Sequence, residues 1–264
     1  MRTTQRISVR DLVEFLLRSG DLDRRQSSGR RDAQAMQAGS RIHRKLQKQM
    51  GSGYQAEVTL KYQILLEDIP VSVEGRADGI WTDKRSEEPL IVIDEIKGTY
   101  RDLSRMEAPV EVHLAQAKCY AYMYGVKQDL EKIGAQITYC HLETEQIKRI
   151  FYCYTMGELS LWFAEVLDAY RMWAAYYVEA REKRNASIQA LQFPFSFRPG
   201  QKKMTAIAYQ AMENKKHIFL QAPTGVGKTI STLYPALKEL GAEKAENIFY
   251  LTAKTITRTV AEDT

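Results

Sequence analysis

The chain has 264 residues, of which 44% are hydrophobic and 27% charged, and its formal net charge is +5. This composition is typical of a soluble globular protein, and the length suffices for one large or two ordinary domains. The small positive charge suits a polyanionic partner without requiring one.

Cysteine usage and hydropathy exclude several classes of protein. Cys119, Cys140 and Cys153 stand apart with no CxxC pair, which excludes the usual metal-ligand spacing and argues against a secreted disulfide framework. No apolar run approaches the roughly 20 residues that cross a bilayer, and the charged N-terminus has no signal-peptide core. We therefore expect a cytoplasmic protein without a membrane partner.

The first part of the chain has the pattern of a mixed α/β domain. Helical spacing is seen over residues 7–17 and from 32 to about 50, with a polar loop over 20–31 between them. Three β-type runs bounded by turn residues follow, at 54–66, 71–81 and 90–96. A helix over 110–126 and strands at 135–142 and 148–154 complete a pattern that predicts a mixed sheet flanked by helices.

The second part of the chain has a different pattern. One long helix is predicted over 157–191, and Phe193-Pro194-Phe195 ends it at a natural domain boundary. A helix (201–212), a strand (218–220), a glycine-containing loop, a helix (229–240) and a strand (247–251) follow, in the order of a parallel α/β unit. Because two parallel strands are too few for a sheet covered on both faces, we expect the sequence to stop inside this domain.

The loop between the predicted strand and helix reads APTGVGKT, the pattern of a phosphate-binding P-loop. Glycines let the backbone curl around an anion, the lysine would reach the β- and γ-phosphates, and the threonine would ligate Mg²⁺ at a helix N-terminus. Alanine stands at the first position of the strict motif, a form common in helicases. The predicted nucleotide-binding residues are Ala222, Pro223, Thr224, Gly225, Val226, Gly227, Lys228 and Thr229.

Three segments, FPFSFRPGQKKM (193–204), the P-loop and FYLTAKTITRTV (249–260), resemble the opening of an XPD/DinG-like superfamily 2 DNA helicase. The resemblance implies ATP with Mg²⁺ as cofactor and adenine recognition by Gln201 of the RPGQ sequence. It also implies contacts with single-stranded DNA from Thr252, Lys254, Thr255 and Arg258, although strand-end capping is the alternative for these hydroxyls. No acidic magnesium-binding box follows the P-loop in this sequence, so we expect that ATP hydrolysis needs residues outside it.

A second constellation lies upstream, in Asp78, Glu95 and Lys97. Strand alternation places Glu95 and Lys97 on one face, beside an aspartate from the preceding strand. Such a set could hold Mg²⁺ or Mn²⁺ against a phosphate, with the lysine orienting or activating a metal-bound water. His43, on a predicted helix, is a further candidate ligand, whereas Asp94 should face the opposite side of the strand.

These residues resemble the RecB-type branch of the PD-(D/E)XK nucleases. The pattern is a helical histidine (His43), then Gly75-Arg76-Ala77-Asp78, Glu95-Ile96-Lys97 and Gln116-Ala117-Lys118-Cys119-Tyr120. The resemblance implies metal ligation by His43, Asp78 and Glu95. It implies catalytic roles for Asp78, Glu95, Lys97, Gln116 and Tyr120. Gln116 and Tyr120 could instead simply pack together one helical turn apart. Some members of this branch hold an iron–sulfur cluster with four cysteines. This sequence has only three scattered cysteines, so we expect no such cluster.

The two resemblances together define the expected organisation. Residues 1–156 form a nuclease-like mixed sheet, 157–192 a long helical connector, and 193–264 the N-terminal part of a RecA-like helicase domain. The expected protein is an ATP-dependent DNA helicase with a fused metal-dependent DNA nuclease, acting on single-stranded DNA, or DNA with a single-stranded end, in DNA repair or processing. Two alternatives stay open: a nuclease fold retained as a DNA clamp without cleavage, and a P-loop belonging to a small-molecule kinase or transporter ATPase.

Overall fold

The computed structural model describes residues 4–17, 29–84, 88–253 and 255–263, with the backbone alone described at 29–36 and 255–257. The chain divides into two compact units, Met1–Ala175 and Tyr176–Thr264. Among the described residues, no helix combines the length and the hydropathy needed to cross a membrane.

The first unit contains a sheet with helices on both faces. Its strands are β1 (Gln5–Ser8), β2 (Gln55–Leu66), β3 (Ile69–Asp83), β4 (Leu90–Thr99), β5 (Lys132–His141) and β6 (Ile147–Thr155). Its helices are α1 (Val9–Leu17), α2 (Gly29–Gln49), α3 (Glu111–Gln128) and the first part of α4 (Met156–Ala190), with a 3-10 turn at Leu103–Arg105.

The pairing of β3 creates a gap in the sheet. β2 runs antiparallel to β3 along one edge, from Leu66 opposite Ile69 to Gln55 opposite Ile80. A strand has only two hydrogen-bonding edges, so β1 and β4 share the other one. β1 pairs with residues 71–74 and β4 with residues 79–83. The stretch 75–78 between them is left without a ladder partner on that edge.

The remaining strands extend the sheet on the far side of β4. β5 is parallel to β4, as the crossover through α3 requires, and β6 is antiparallel to β5. The face that carries Ile137 packs against Ala117 of α3. The opposite face, which carries Ile96, packs against Ile42 and Leu46 of α2. Because Glu95 lies beside Ile137 in the register, the predicted acid–lysine pair is on the α3 face.

The mixed α/β class expected from the sequence is confirmed, and β2 to β6 match the predicted strands. One prediction at the N-terminus is wrong in part, because the helix expected over 7–17 begins only at Val9. Ile7 pairs with Val73 instead, since sheet pairing outweighs weak helical periodicity. The Ser8 hydroxyl then accepts a hydrogen bond from the Asp11 backbone N–H at 2.9 Å and caps α1. Residues 20–28 of the loop predicted at 20–31 lie outside the described residues. The last three residues of that predicted loop belong to α2, which begins at Gly29.

The second unit contains the last part of α4, α5 (Gln201–Glu213), α6 (Lys228–Gly241) and α7 (Thr255–Glu262). Lys238 of α6 donates to the Ile188 carbonyl of α4 at 3.1 Å. The strands predicted at 218–220 and 247–251 are not formed. A strand needs a hydrogen-bonded neighbour, and neither segment has one among the described residues. Phe219 and Leu251 are 99% and 90% exposed there.

Candidate metal centre and nucleotide site

The gap along β3 is filled by side chains. The Asp78 carboxylate accepts a hydrogen bond from the Ile96 backbone N–H at 2.7 Å, which replaces a missing ladder contact between β3 and β4. Tyr120 reaches the same stretch from α3, and its hydroxyl receives a backbone hydrogen bond from Arg76. A Cβ added at Gly75 would lie 2.7 Å from the Tyr120 ring. The glycine of the GRAD sequence therefore makes room for the tyrosine.

Glu95 and Lys97 form the centre of the cluster. Lys97 Nζ lies 2.7 Å from Glu95 Oε1, and the Glu95 side chain is only 7% exposed. The second carboxylate oxygen, Oε2, is buried and has no hydrogen-bond partner among the described residues. Burial, followed by the negative charge of Asp78, raises the Glu95 pKa above its usual range, and Lys97 opposes this rise. A buried oxygen without a donor fits a cation, which would compensate the lost hydration.

His43 approaches the cluster from α2. Its Nδ1 lies 3.4 Å from Asp78 Oδ1, so that the two Asp78 oxygens contact different elements. Burial alone would lower the His43 pKa, but the hydrogen bond and charge of Asp78 raise it above the usual value. Imidazole and carboxylate groups together are a donor set that divalent metals accept. The residues present therefore fit a divalent cation.

Glu57 of β2 is a member of this cluster that sequence reasoning missed. One possible ligand atom from each of His43, Glu57 and Asp78 lies within 4.8 Å of the others. No sequence motif singles out Glu57; the register of the hairpin does, because Leu66 pairs with Ile69 around a two-residue turn and the same register sets Glu57 opposite Asp78.

The predicted α3 residues lie on one face of that helix, one turn apart. Gln116 is 3% exposed and Tyr120 is 6% exposed. Gln116 Oε1 is buried without a hydrogen-bond partner among the described residues. Burial, then the charges of Glu95 and Asp78, raises the Tyr120 pKa, so this hydroxyl lies within the field of both carboxylates.

Asp94 belongs to a different network on the other face of the sheet. Its carboxylate accepts hydrogen bonds from Tyr54 Oη at 3.0 Å, Gln136 Nε2 at 3.1 Å and Thr138 Oγ1 at 2.6 Å. Both oxygens are thereby engaged. Asp94 therefore acts as a buried structural acceptor and takes no part in the cluster around Glu95.

The P-loop of the second unit has the backbone that an anion cradle needs. Gly225 and Gly227 have φ values of +84° and +81°, in the left-handed region that favours glycine. Gly227 is also the N-cap of α6, so the first N–H groups of that helix point into the loop. Lys228 Nζ donates to the carbonyls of Ala222 at 3.0 Å and Pro223 at 2.8 Å. Thr224 and Val226 complete the loop, and Thr229 lies in the first turn of α6.

The RPGQ sequence packs directly against this loop. Gln201 is 3% exposed, and its Oε1 accepts a hydrogen bond from the Arg198 backbone N–H at 3.0 Å. Gln201 Nε2 lies 2.3 Å from where a Gly227 Cβ would be, and the Arg198 guanidinium donates to the Gly225 carbonyl. A cavity of about 280 Å³ opens beside them, with a largely apolar lining that includes Pro199, Met204, Ile207, Ala222 and Pro223.

The predicted DNA-contacting residues are less fully described. Thr252 is exposed in the segment before α7, and Lys254 lies outside the described residues. Thr255 begins α7 with only its backbone described. Arg258 is exposed on α7 and pairs with Glu262, with 2.7 Å between Nε and Oε1.

Comparison with known proteins bears on the second unit. Residues 198–262 match the DEAD/DEAH box helicase family. The matched segment contains both the RPGQ sequence and the P-loop. The family implies that this site binds ATP together with Mg²⁺. The match does not single out the XPD/DinG branch, and it does not extend to the first unit.

Two individual proteins are similar to parts of the chain. A "Probable ATP-dependent helicase" of Methanocaldococcus jannaschii is 40% identical over 62 residues, which is 23% of this chain and 9% of that protein. The chain thus matches only a small part of the relative's length. The crystal structure of SSO0001 is 18% identical, with a TM-score of 0.44 over 66% of this chain and 77% of that one. A structural likeness at that level carries no argument about function.

Proposed function

We propose that the chain is part of an ATP-dependent DNA helicase whose first unit is a metal-dependent DNA nuclease, acting in DNA repair or processing. The motor half of the proposal is supported by the DEAD/DEAH match around the P-loop. The nuclease half is carried by one observation: the buried Glu95 Oε2, without a hydrogen-bond donor, in a cluster with Asp78 and Lys97.

The proposed nuclease site uses His43, Asp78 and Glu95 as metal ligands. A bound Mg²⁺ or Mn²⁺ would lower the pKa of a coordinated water and neutralise charge on the scissile phosphate. Lys97, held by Glu95, would donate to that water and orient it. Tyr120 would hold the β3 backbone in place where one of its edges has no ladder partner, and the buried Gln116 amide would add a fixed dipole on the same helix face. The proposed substrate is single-stranded DNA or a single-stranded end.

The proposed motor site uses the P-loop, with Gln201 and the neighbouring cavity contributing to adenine recognition. Lys228 would exchange the carbonyls of Ala222 and Pro223 for the β- and γ-phosphates, because a phosphate attracts an ammonium more strongly than a neutral carbonyl does. The Thr229 hydroxyl would join the Mg²⁺ shell. We assign DNA contacts to the segment ahead of and along α7: Thr252, Lys254, Thr255 and Arg258.

Cleavage of end-labelled single-stranded DNA with Mn²⁺ tests the nuclease proposal. Loss of a group that positions or activates the nucleophile lowers rates by about 10²–10⁴-fold, so we expect Lys97→Ala to lose at least 100-fold in cleavage rate. The matched control is Lys61→Ala, an exposed strand lysine paired with Glu74 at 3.0 Å, which should keep the wild-type rate.

The same experiment distinguishes the clamp alternative. If the wild type cuts no better than Lys97→Ala, the chain has no nuclease activity of this kind. Calorimetric titration with Mn²⁺ then separates the remaining possibilities, because a DNA clamp that lacks a metal site gives no binding heat.

A further inference from the structure

We propose that Glu57 is an additional ligand of the divalent cation at His43 and Asp78, so that β2 contributes to the metal centre alongside α2, β3 and β4. This inference rests on the proposed metal-dependent function of the first unit. It adds a carboxylate that neither motif order nor strand alternation singled out in the sequence.

The spacing of the ligand atoms fits a single coordination shell. Mg²⁺ and Ca²⁺ bind oxygens at about 2.0–2.6 Å, so ligand atoms on opposite sides of one ion are about 4–5 Å apart. The candidate atoms of His43, Glu57 and Asp78 all lie within 4.8 Å of one another. One cation can therefore reach all three without moving the backbone.

The β-hairpin positions Glu57 for this role. The pairs on either side of Glu57 set it across the hairpin from Asp78, where neighbouring strands bring side chains close together. The ladder pairs Ala56 with Gly79 and Val58 with Ala77, but it omits the pair between them. Glu57 has a φ of +57°, which is uncommon for a non-glycine residue. The local distortion coincides with the cluster.

An independent feature of the same cluster points to a cation. Glu95 is 5% exposed, and its Oε2 is buried without a hydrogen-bond partner among the described residues. The charges of Asp78 and His43 both act on the Glu95 carboxylate, which therefore lies near this centre, although Glu95 is not among the residues whose ligand atoms come within 4.8 Å of one another. A cation bound beside Glu95 would compensate the oxygen that the protein itself leaves without a donor.

The present partners of Glu57 are ones that a cation could replace. Arg76 Nε lies 2.5 Å from Glu57 Oε2, with side-chain exposures of 66% and 39%. Exposed ion pairs of this kind contribute little to stability, so exchanging Arg76 for a divalent ion costs little. Gln47 Nε2 donates to Glu57 Oε1 at 3.0 Å and to the Asp78 carbonyl at 2.9 Å, so it holds the two residues together.

Calorimetric titration of the whole chain with Mn²⁺ tests the role of Glu57. Loss of one charged ligand should weaken Mn²⁺ binding by at least about 10-fold, the lower end of what metal-site substitutions cost. Glu57→Gln keeps the side-chain shape and an oxygen for Gln47. The matched control is Glu67→Gln, because Glu67 also has a positive φ (+56°) and also pairs with an exposed arginine, Arg171 at 2.6 Å.

The outcomes separate this inference from the proposed function. If the wild type and Glu57→Gln bind Mn²⁺ equally tightly, Glu57 is not a ligand, and the proposed metal site still stands. Absence of Mn²⁺ binding by a folded wild type would overturn both. We also expect Arg76→Gln to tighten Mn²⁺ binding when Glu57 is present. The same substitution should have no such effect when it is combined with Glu57→Gln. Equal tightening in both backgrounds would contradict the exchange of Arg76 for the cation.

Discussion

Substitution of Gly75 by alanine tests whether the gap in β3 is shaped around Tyr120. The added Cβ would lie 2.7 Å and 2.8 Å from the ring carbon Cε1 and the hydroxyl of Tyr120, closer than van der Waals contact permits. Tyr120 is 6% exposed, so its ring has little room to retreat.

The expected loss of stability follows from these contacts. Overpacking a well-packed site costs about 1–3 kcal/mol. Displacing the tyrosine also breaks the Arg76 backbone hydrogen bond, worth about 0.5–1.5 kcal/mol. Alanine recovers roughly 0.5–1 kcal/mol because it is less flexible than glycine in the unfolded chain. We therefore expect Gly75→Ala to lower the free energy of unfolding by about 1–3 kcal/mol.

Tryptophan fluorescence during urea unfolding measures this loss. All three tryptophans of the chain, Trp81, Trp162 and Trp173, lie in the first unit, so their fluorescence reports on that unit. Gly53→Ala is the matched control, because a Cβ there meets nothing within 4 Å. In a Tyr120→Leu background the cost of Gly75→Ala should largely disappear. A cost that is unchanged by removal of the ring, or no cost at all, would refute the reasoning.

Two further predictions concern other parts of the chain. Lys228→Ala should weaken binding of a fluorescent ATP analogue at least about 10-fold, because it removes a charge-assisted contact of roughly 1.5–3 kcal/mol. The control variant Lys216→Ala should bind the analogue as the wild type does. Equal binding by the two variants would contradict the role of Lys228 in the P-loop. Burial, then the charges of Lys97 and Arg101, lowers the His113 pKa from 6.5 to about 4. Between these pH values the unfolded chain binds more protons, so the stability of the first unit should fall as pH falls from about 6.5 to 4. His113→Gln should flatten that part of the pH profile of urea midpoints, and a profile unchanged by the substitution would show that His113 is not the group responsible.

Secondary structure was predictable where the local pattern and the tertiary contacts agree. β2 to β6 follow alternation and turn residues that are visible in the sequence, and α4 follows one uninterrupted helical pattern. β1 was missed because a four-residue strand exists only through its pairing with residues 71–74 of β3. Segments 218–220 and 247–251 have strand-like composition, but strand formation depends on a neighbour that the pattern itself does not contain.

The candidate metal centre was predictable in part, for a related reason. Asp78, Glu95 and Lys97 stand in a recognisable order, and period-two alternation correctly put Glu95 and Asp94 on opposite faces of β4. Glu57 gave no such signal, because an exposed glutamate in an alternating strand has the appearance of an ordinary solvent-facing residue. Its place beside Asp78 comes from the hairpin register, which relates residues 21 positions apart.

The sequence by itself determined the α/β class, most helix and strand positions, and the P-loop whose glycines adopt positive φ, because these depend on near neighbours along the chain. Only the tertiary structure decided where the sheet opens. On one edge of β3, residues 75–78 have no ladder partner because β1 and β4 pair with the two ends of that edge. Tyr120 and the Asp78 carboxylate lie at that opening, and Glu57 approaches Asp78 from β2 on the other edge of β3. The burial that leaves Glu95 Oε2 without a hydrogen-bond donor arises from contacts among residues far apart in the chain.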